Sequence, residues 1–381
     1  YFGVASPPDE GDQASSPATR QILPTYGLFR HQLDAARKVQ QALSTGRRRV
    51  VLHMPTGAGK TRTSMTVVAD HLRSRDSAVV VWLAQTEELC EQAALEFERA
   101  WRHLGNREVS VYRFWGDRQI SQSDLADGFL VAGLSKMQAA TRQQLDFAVG
   151  VGNRASLVII DEAHSAIAET YRLTLDALVE TQSRRPGLLG LTATPGRTWA
   201  DVDADAQLAE YFDRKKVTLE VPGYANAIDY LTQEGYLADV EFKQLTHEGG
   251  LNLDDDDVVH IANQLEIPDA VLRQLSEDEV RNAAIVAQIE RLLTQHARIL
   301  VFATTVDHSD LLAAVMRIRG TDAMSLTSRT SKGVRAAMIE DFKSASTQPK
   351  VLFNYGVLTT GFDAPKTSAA VIARPTHSLV L

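Results

Sequence analysis

A single cysteine, Cys90, stands in the 381 residues. That excludes a disulfide framework and a cysteine-rich zinc site, and Cys90 reads as a small core residue. Long apolar runs are missing as well. The longest obvious ones, such as Ala78–Ala84, are far too short to span a bilayer. Residues 1–20 hold no apolar segment of the kind a secretory signal requires, so a reducing, cytoplasmic setting is the expectation. Positive charge is not in excess either, with 40 Lys and Arg against 48 Asp and Glu. Its distribution matters more than its sum. Residues 251–280 carry nine acidic side chains against one basic, Arg273, which alone accounts for the net −8. The remainder is balanced, and a local basic groove stays possible.

What is present is chemistry for phosphates. Residues 54–61 read Met-Pro-Thr-Gly-Ala-Gly-Lys-Thr, after the β-branched run Val50-Val51-Leu52 and ahead of a helical pattern. This is the strand–loop–helix context of a phosphate-binding loop, although Met54 stands where the strict pattern has its first glycine. Glycines let backbone N–H groups close around phosphates, Lys60 adds a point charge, and the Thr61 hydroxyl can reach a magnesium ion. About a hundred residues on, Asp161-Glu162-Ala163-His164 closes the apolar run Leu157–Ile160. The carboxylates should therefore emerge at a strand's C-terminal end, where open α/β sheets bind ligands. Taken singly, the first segment could be a simple turn and the second a solvated cap. Their order and shared context argue for a nucleotide triphosphate and its metal.

Strand-like runs alternate with helical patterns from residue 28 onward, the signature of βαβ units and a mostly parallel sheet. Leu33, Ala36, Val39, Ala42 and Leu43 are expected to form one helix face. Val79–Leu83, Phe129–Ala132, Leu157–Ile160 and Leu188–Leu191 are expected as buried strands. A second series begins at Ile299–Phe302 and continues through Val351–Phe353 and Ala370–Ile372. Two α/β lobes with one phosphate loop are expected: a flexible lead over 1–22, a first domain over 23–222 and a second over 223–381. The acidic stretch 251–280 reads as an insertion or connector. The start at Tyr1 and the end just after a strand-like run suggest an interior piece of a longer polypeptide.

With both lobes in view, the chain resembles the superfamily 2 helicases and translocases, the DEAD/DEAH-like class. Leu28-Phe29-Arg30-His31-Gln32 looks like the adenine-reading Q-type motif. Residues 54–61 match motif I, and Leu83–Leu89 is similar to motif Ia. Gly133–Gln138 sits where motif Ib belongs. Asp161–His164 matches motif II, and Leu191-Thr192-Ala193-Thr194-Pro195 matches motif III. Val301-Phe302-Ala303 looks like motif IV, and Leu358–Pro365 like motif V. Within the superfamily the likeness is strongest to bacterial RadD-like repair helicases and to the motor subunits of type I and III restriction enzymes.

The resemblance implies an α/β fold of two RecA-like domains, with the second truncated at its C-terminus. It implies ATP and Mg2+ as cofactors, with Lys60, Asp161 and Glu162 catalytic and Thr61 and Asp161 holding the metal. Arg30, Gln32, Thr56, Gly57, Ala58, Gly59, Lys60, Thr61, Gly361 and Asp363 would bind the nucleotide. His164, Thr192 and Thr194 would couple it to nucleic acid, which Gln85, Thr86, Ser135 and Thr359 would contact. The implied activity is a nucleic-acid-dependent ATPase acting on DNA, in repair or phage defence, with further domains or subunits of a larger assembly as candidate partners. In the family a motif VI with its arginine finger follows the Arg374-Pro375-Thr376 segment, and the chain ends before it. Weak hydrolysis by this piece alone is therefore expected. Two other readings stay open: an ATP-gated clamp or scaffold that does not move, and the motor part of a restriction-type complex. Of the tryptophans that could stack on bases, Trp82 reads as core, and Trp101, Trp115 and Trp199 are unplaced.

Overall fold

The computed structural model describes residues 19, 21, 23–163, 166, 169–180, 185–193, 202–245, 267–344, 346–358 and 364–375. Packing divides the chain into two units. The first holds the residues through Ala193 and Ala206–Ala227; the second holds those from Ile228 onward and the segment Thr194–Asp205, so the boundary falls within the helix Val202–Tyr211, most of which lies in the first unit.

The first unit is built on seven strands: β1 Arg49–His53, β2 Val79–Ala84, β3 Ser110–Phe114, β4 Gly128–Gly133, β5 Ala155–Asp161, β6 Gly187–Thr192 and β7 Lys216–Thr218. Their order is β3-β4-β2-β5-β6-β1-β7, and every pair is parallel. Parallel strands covered on both faces need near-continuous apolar sequence. β2 supplies it, with all six residues buried. Trp82 lies fully buried there and meets Phe129 edge-on at 6.1 Å, so it is core as expected. β3 and β7 escape sequence reading because both are edge strands: only Phe114 of β3 is buried, and β7 is three residues long. β4 opens on Gly128 at φ +143, where a Cβ would fall 2.0 Å from the Ser110 carbonyl oxygen. Only glycine fits at that close approach of β3 and β4.

Between the strands run α1 Arg30–Leu43, α2 Lys60–Arg73, α3 Glu87–Leu104, α4 Leu134–Gln143, α5 Leu145–Arg154, α6 Glu169–Val179 and α7 Val202–Tyr211. α1 departs from its expected face. Its buried residues are His31, Gln32, Ala35, Ala36 and Val39, while Leu33 is exposed. The helix is turned so that two polar side chains face inward, and the next section shows what they hold.

The second unit contains α8 Ala227–Gln233, α9 Asp269–Glu277, α10 Glu279–Leu293, β8 Arg298–Phe302, α11 Val306–Ile318, β9 Asp322–Leu326, α12 Lys332–Lys343, β10 Lys350–Asn354 and β11 Ala369–Ile372. Its sheet runs β11-β8-β10-β9, again all parallel. Alternate residues feed opposite faces, as a period of two demands. Ile299, Val301, Val351 and Phe353 pack with Ile289, Leu312 and Met316. Leu300, Phe302 and Leu352 pack with Leu326 and Phe342. Arg298 is buried without a carboxylate partner among the described residues. Its guanidinium donates instead to the carbonyls of Phe342, Gln348 and Ser346 at 2.8, 2.6 and 2.7 Å.

The acidic stretch is not uniformly a connector. Residues 251–266 lie outside the described residues, but from Asp269 the chain is helical. Val271 anchors α9 in the interior, and Asp278 caps α10 by accepting from the Arg281 N–H at 2.9 Å. Acidic residues there suit helix N-termini. Among the described residues no helix is long and apolar enough to cross a membrane.

Candidate functional site

β1 ends at His53, and the chain turns through residues 54–59 into α2. Met54 is fully buried, and its N–H donates to the Thr192 carbonyl at 3.1 Å. Where the strict pattern has a glycine, this chain packs a core side chain. Gly57 and Gly59 have φ of +80 and +85, the left-handed region that glycine tolerates. A Cβ on Gly59 would fall 2.1 Å from Gln32 Nε2. The Ala58 carbonyl accepts from Gln32 Nε2 at 3.1 Å and from His31 Nε2 at 3.3 Å, while Gln32 Oε1 accepts from the Phe29 N–H at 3.0 Å. Burial lowers the His31 pKa and keeps the ring neutral, with its proton on Nε2 facing the carbonyl. So the inward-turned residues of α1 grip the loop from behind. Arg30 is exposed, and among the described residues no hydrogen bond or ion pair ties it there.

α2 begins at Lys60 with no side-chain cap and no acidic residue in its first turn. Its positive end is left for an anion. The hydroxyls of Thr63, Ser64 and Thr66 donate back to the carbonyls of Gly59, Lys60 and Arg62 at 3.0, 2.9 and 3.2 Å. Thr61 is the remaining hydroxyl of this run and makes no such bond. Across the sheet, β5 ends at Asp161. Lys60 Nζ lies 4.0 Å from Asp161 Oδ1 and 3.7 Å from Glu162 Oε1. Burial pushes the Asp161 carboxyl up to about 6, Lys60 opposes the rise, and Glu162 adds to it. Glu162 is itself buried at φ +58, with its N–H donating to Asp161 Oδ1 at 3.1 Å. A left-handed non-glycine residue costs about 1–2 kcal/mol, and here it directs a carboxylate toward the loop lysine. One hydroxyl, one carboxylate and a phosphate-facing helix end are the donors that suit magnesium bound together with a nucleotide. The residues present fit that group.

At the C-terminal ends of β2 and β4, Gln85, Thr86 and Ser135 line one pocket of about 480 Å³ with Trp115, Gly116 and Lys136. Thr86 caps α3, its hydroxyl accepting from the Leu89 N–H at 3.2 Å. Lys136 was not singled out by the sequence. It donates to the carbonyls of Gly116, at 2.7 Å, and Arg118, and so fixes the loop after β3. Glu87 and Asp117 also line this pocket. Trp115 is buried, with the Arg118 guanidinium 4.8 Å from its ring centroid, and Trp101 stacks on Phe97 and donates to the Arg107 carbonyl.

Thr192 is fully buried at the end of β6. His164, Thr194, Thr359, Gly361, Asp363 and Trp199 lie outside the described residues. In the second unit Asn354 shapes the turn that runs from β10 to Leu358. Its Oδ1 accepts from the N–H groups of Val357 and Leu358 at 3.2 and 2.7 Å. An asparagine closing the Val-Leu-Phe run ahead of Tyr-Gly was the signal available in sequence.

Comparison with known proteins separates the same two parts. The family described as type III restriction enzyme, res subunit, matches residues 25–197, and the helicase conserved C-terminal domain matches residues 283–380. Both parts of the chain are thus similar to superfamily 2 helicases. Among curated relatives, IRC3, a helicase-family protein of Saccharomyces cerevisiae, is 24% identical over 91% of the chain and 47% of its own length. The type I restriction enzyme EcoKI endonuclease subunit of Escherichia coli is 23% identical over 99% of the chain and 34% of its own length. The chain thus spans half or less of both proteins. The solved structure of Mss116p bound to ssRNA and AMP-PNP aligns with a TM-score of 0.59 at 16% identity, over 91% of this chain and 67% of that one. That likeness establishes the fold, two RecA-like domains of the helicase kind. The narrower likeness to RadD-like helicases stays an expectation from the motifs.

Proposed function

We propose that the chain is the ATP-hydrolysing motor of a nucleic-acid translocase or helicase acting on DNA. The observation that carries this reading is the convergence of Lys60, Asp161 and Glu162 beside an uncapped helix N-terminus. Magnesium, when bound, would draw charge from the phosphoryl oxygens. Lys60 would sit at the β and γ phosphates, leaving its carboxylate neighbours free for other work. The Thr61 hydroxyl and the Asp161 carboxylate, the latter through water, would hold the metal. Glu162 would orient the attacking water and take its proton. Gln32, now bonded to the Ala58 carbonyl, links the adenine side of the site to the loop. Thr192, with His164 and Thr194, is assigned to coupling, and Gly361 and Asp363 to the nucleotide.

Gln85, Thr86 and Ser135, with Thr359, are assigned to the nucleic-acid backbone. Contacts of that kind address phosphates, so sequence preference is weak and salt dependence steep. DNA is favoured because motif V and the Arg374-Pro375 segment resemble repair and restriction motors. A role in DNA repair or phage defence, in the cytoplasm, completes the proposal. The match to a restriction-enzyme subunit over 25–197 favours a second reading, the motor part of a restriction-type complex.

The test is steady-state ATP hydrolysis with and without single-stranded DNA, duplex DNA and RNA, beside directional movement on the best polymer. Stimulation by DNA supports the motor. Stimulation by RNA alone overturns the choice of track. Turnover indifferent to every polymer, without movement, supports the clamp instead.

A further inference from the structure

The opposite edge of the first sheet carries a second concentration of positive charge. Arg48 immediately precedes β1, Arg185 lies two residues before β6, Arg75 and Ser77 precede β2, and Ser156 lies at the start of β5. Together they line a pocket of about 340 Å³ that contains no carboxylate. An adjoining pocket of about 320 Å³ shares Arg48, Arg75 and Ser156 and adds His71. Its one carboxylate, Asp70, is already engaged by Gln40 and Arg73, at 2.8 and 3.3 Å. Strands of five to seven residues at about 3.3 Å per residue put this edge roughly 20 Å from Lys60.

Three guanidiniums in one concavity are costly unless something balances them. Among the described residues none of the three makes an ion pair. Arg75 donates to the His71 carbonyl at 2.8 Å and to Ser74 Oγ at 2.9 Å, and Arg48 donates to the Arg185 carbonyl. Each guanidinium has five N–H donors, so most stay available. The charge is felt locally: burial and the neighbouring Arg48 lower the Arg75 pKa, and burial with both arginines pushes His71 down to about 3. The neutral His71 ring donates from Nε2 to Ser156 Oγ at 2.8 Å, and Ser156 donates onward to the Val79 carbonyl. Arg48 also holds a left-handed backbone, φ +58. An unbalanced cluster held by strained backbone is the pattern of a site built for a ligand rather than for stability.

We infer that Arg48, Arg75 and Arg185, with Ser77 and Ser156, form a phosphate-binding site on the edge of the sheet opposite the nucleotide. Guanidinium forks match phosphate oxygens bidentately, while Ser77 and Ser156 donate their own O–H groups to the Ala126 and Val79 carbonyls and line the site without competing for the guanidiniums. The phosphate could belong to a nucleic-acid backbone or to free inorganic phosphate. A backbone source would give the motor a second contact, well apart from Gln85 and Ser135. The site itself does not depend on the motor reading.

The test uses the full chain in a Lys60→Ala background, which removes phosphate binding at the loop. Inorganic phosphate is titrated by calorimetry into this protein and into forms carrying Arg75→Glu or Arg185→Glu, each checked by thermal melting. Binding that weakens at least tenfold in both variants is the expected result. Fluorescent DNA duplex is then followed by anisotropy against salt, in the Lys60 background. A fivefold loss of affinity with a shallower salt slope in the variants names the backbone as the source; unchanged duplex binding names free phosphate. Binding of inorganic phosphate that is absent, or unaltered in both charge-reversed variants, overturns the site. Failure of polymer-stimulated ATP hydrolysis would count against the motor and leave this result untouched.

Discussion

Replacing Gly190 with alanine should damage both the fold and the catalytic edge of the first unit. Gly190 lies mid-strand in β6, opposite Val51 of β1 and Ile160 of β5. A Cβ built there meets Phe212 Cζ at 2.7 Å, Ala163 Cβ at 2.8 Å and Phe212 Cε1 at 2.9 Å. All three neighbours are packed in the interior, and Phe212 is fully buried. Overpacking of a buried site costs about 1–3 kcal/mol. Alanine recovers about 0.4–1 kcal/mol by restricting the unfolded chain, leaving a net loss of about 1–2 kcal/mol. For a unit of about 200 residues that is a fall in Tm of roughly 2–8 °C. Ala163 directly follows Glu162, so the push should also displace the carboxylate assigned to water, and turnover should fall more than stability alone explains. Urea unfolding of Gly190→Ala, Phe212→Leu and the double variant closes a thermodynamic cycle. Because Phe212 supplies two of the three close contacts, the cycle should show a favourable coupling of at least about 0.5 kcal/mol. An unchanged midpoint for Gly190→Ala, or strict additivity in the double variant, would refute the packing argument.

Lys60→Ala should reduce nucleotide binding at least tenfold in a fluorescent-nucleotide titration, and unchanged binding would remove the loop assignment. Glu162→Gln should keep binding and stop turnover, so that single-turnover experiments trap bound ATP; rapid release of product would contradict its role. His308 is buried, accepts from the Thr304 N–H at Nδ1 and donates from Nε2 to Asn282 Oδ1 at 2.8 Å. Burial, with Arg281 nearby, depresses its pKa from 6.5 to about 4. The folded state thus favours the neutral ring, a contribution complete above pH 6.5 and lost as pH falls toward 4. Its size is up to about 3 kcal/mol. Unfolding midpoints of the second unit should drop across that window, and His308→Gln should flatten the profile.

The parts legible in sequence were those where one local requirement dictates residue type. β2 and β5 are buried on both faces and therefore read as unbroken apolar runs. The loop at 54–61 and the pair at 161–162 are legible as a glycine turn and an acidic strand end, which the structure brings together at Lys60. Less legible was whatever depends on distant partners. β3 and β7, at the sheet edges, need little apolar sequence. Leu33 was expected inside, but His31 and Gln32 occupy that face because the Ala58 carbonyl, 26 residues away from Gln32, needs donors. Lys136 and Asn354 act through backbone carbonyls and N–H groups, which carry no side-chain signature. The arginine cluster comes from three separate loops, so no contiguous motif announces it.

The placement of β1 between β6 and β7 has a consequence for biosynthesis. The strand that carries the phosphate loop leaves the ribosome first of the seven, yet both its hydrogen-bonding neighbours come last. At about 5–20 residues per second, the roughly 160 residues between His53 and Thr218 take on the order of 10–30 s to make. Through that interval β2, β4 and β5 can pair with one another, whereas β1 keeps two bare edges and an apolar face. A nascent chain halted before Thr192 would hold both phosphate-loop and acidic motifs in its sequence and still lack the partner strand that sets them side by side. The nucleotide site is therefore the last part of this unit to mature, and premature release leaves an aggregation-prone strand rather than a weak enzyme.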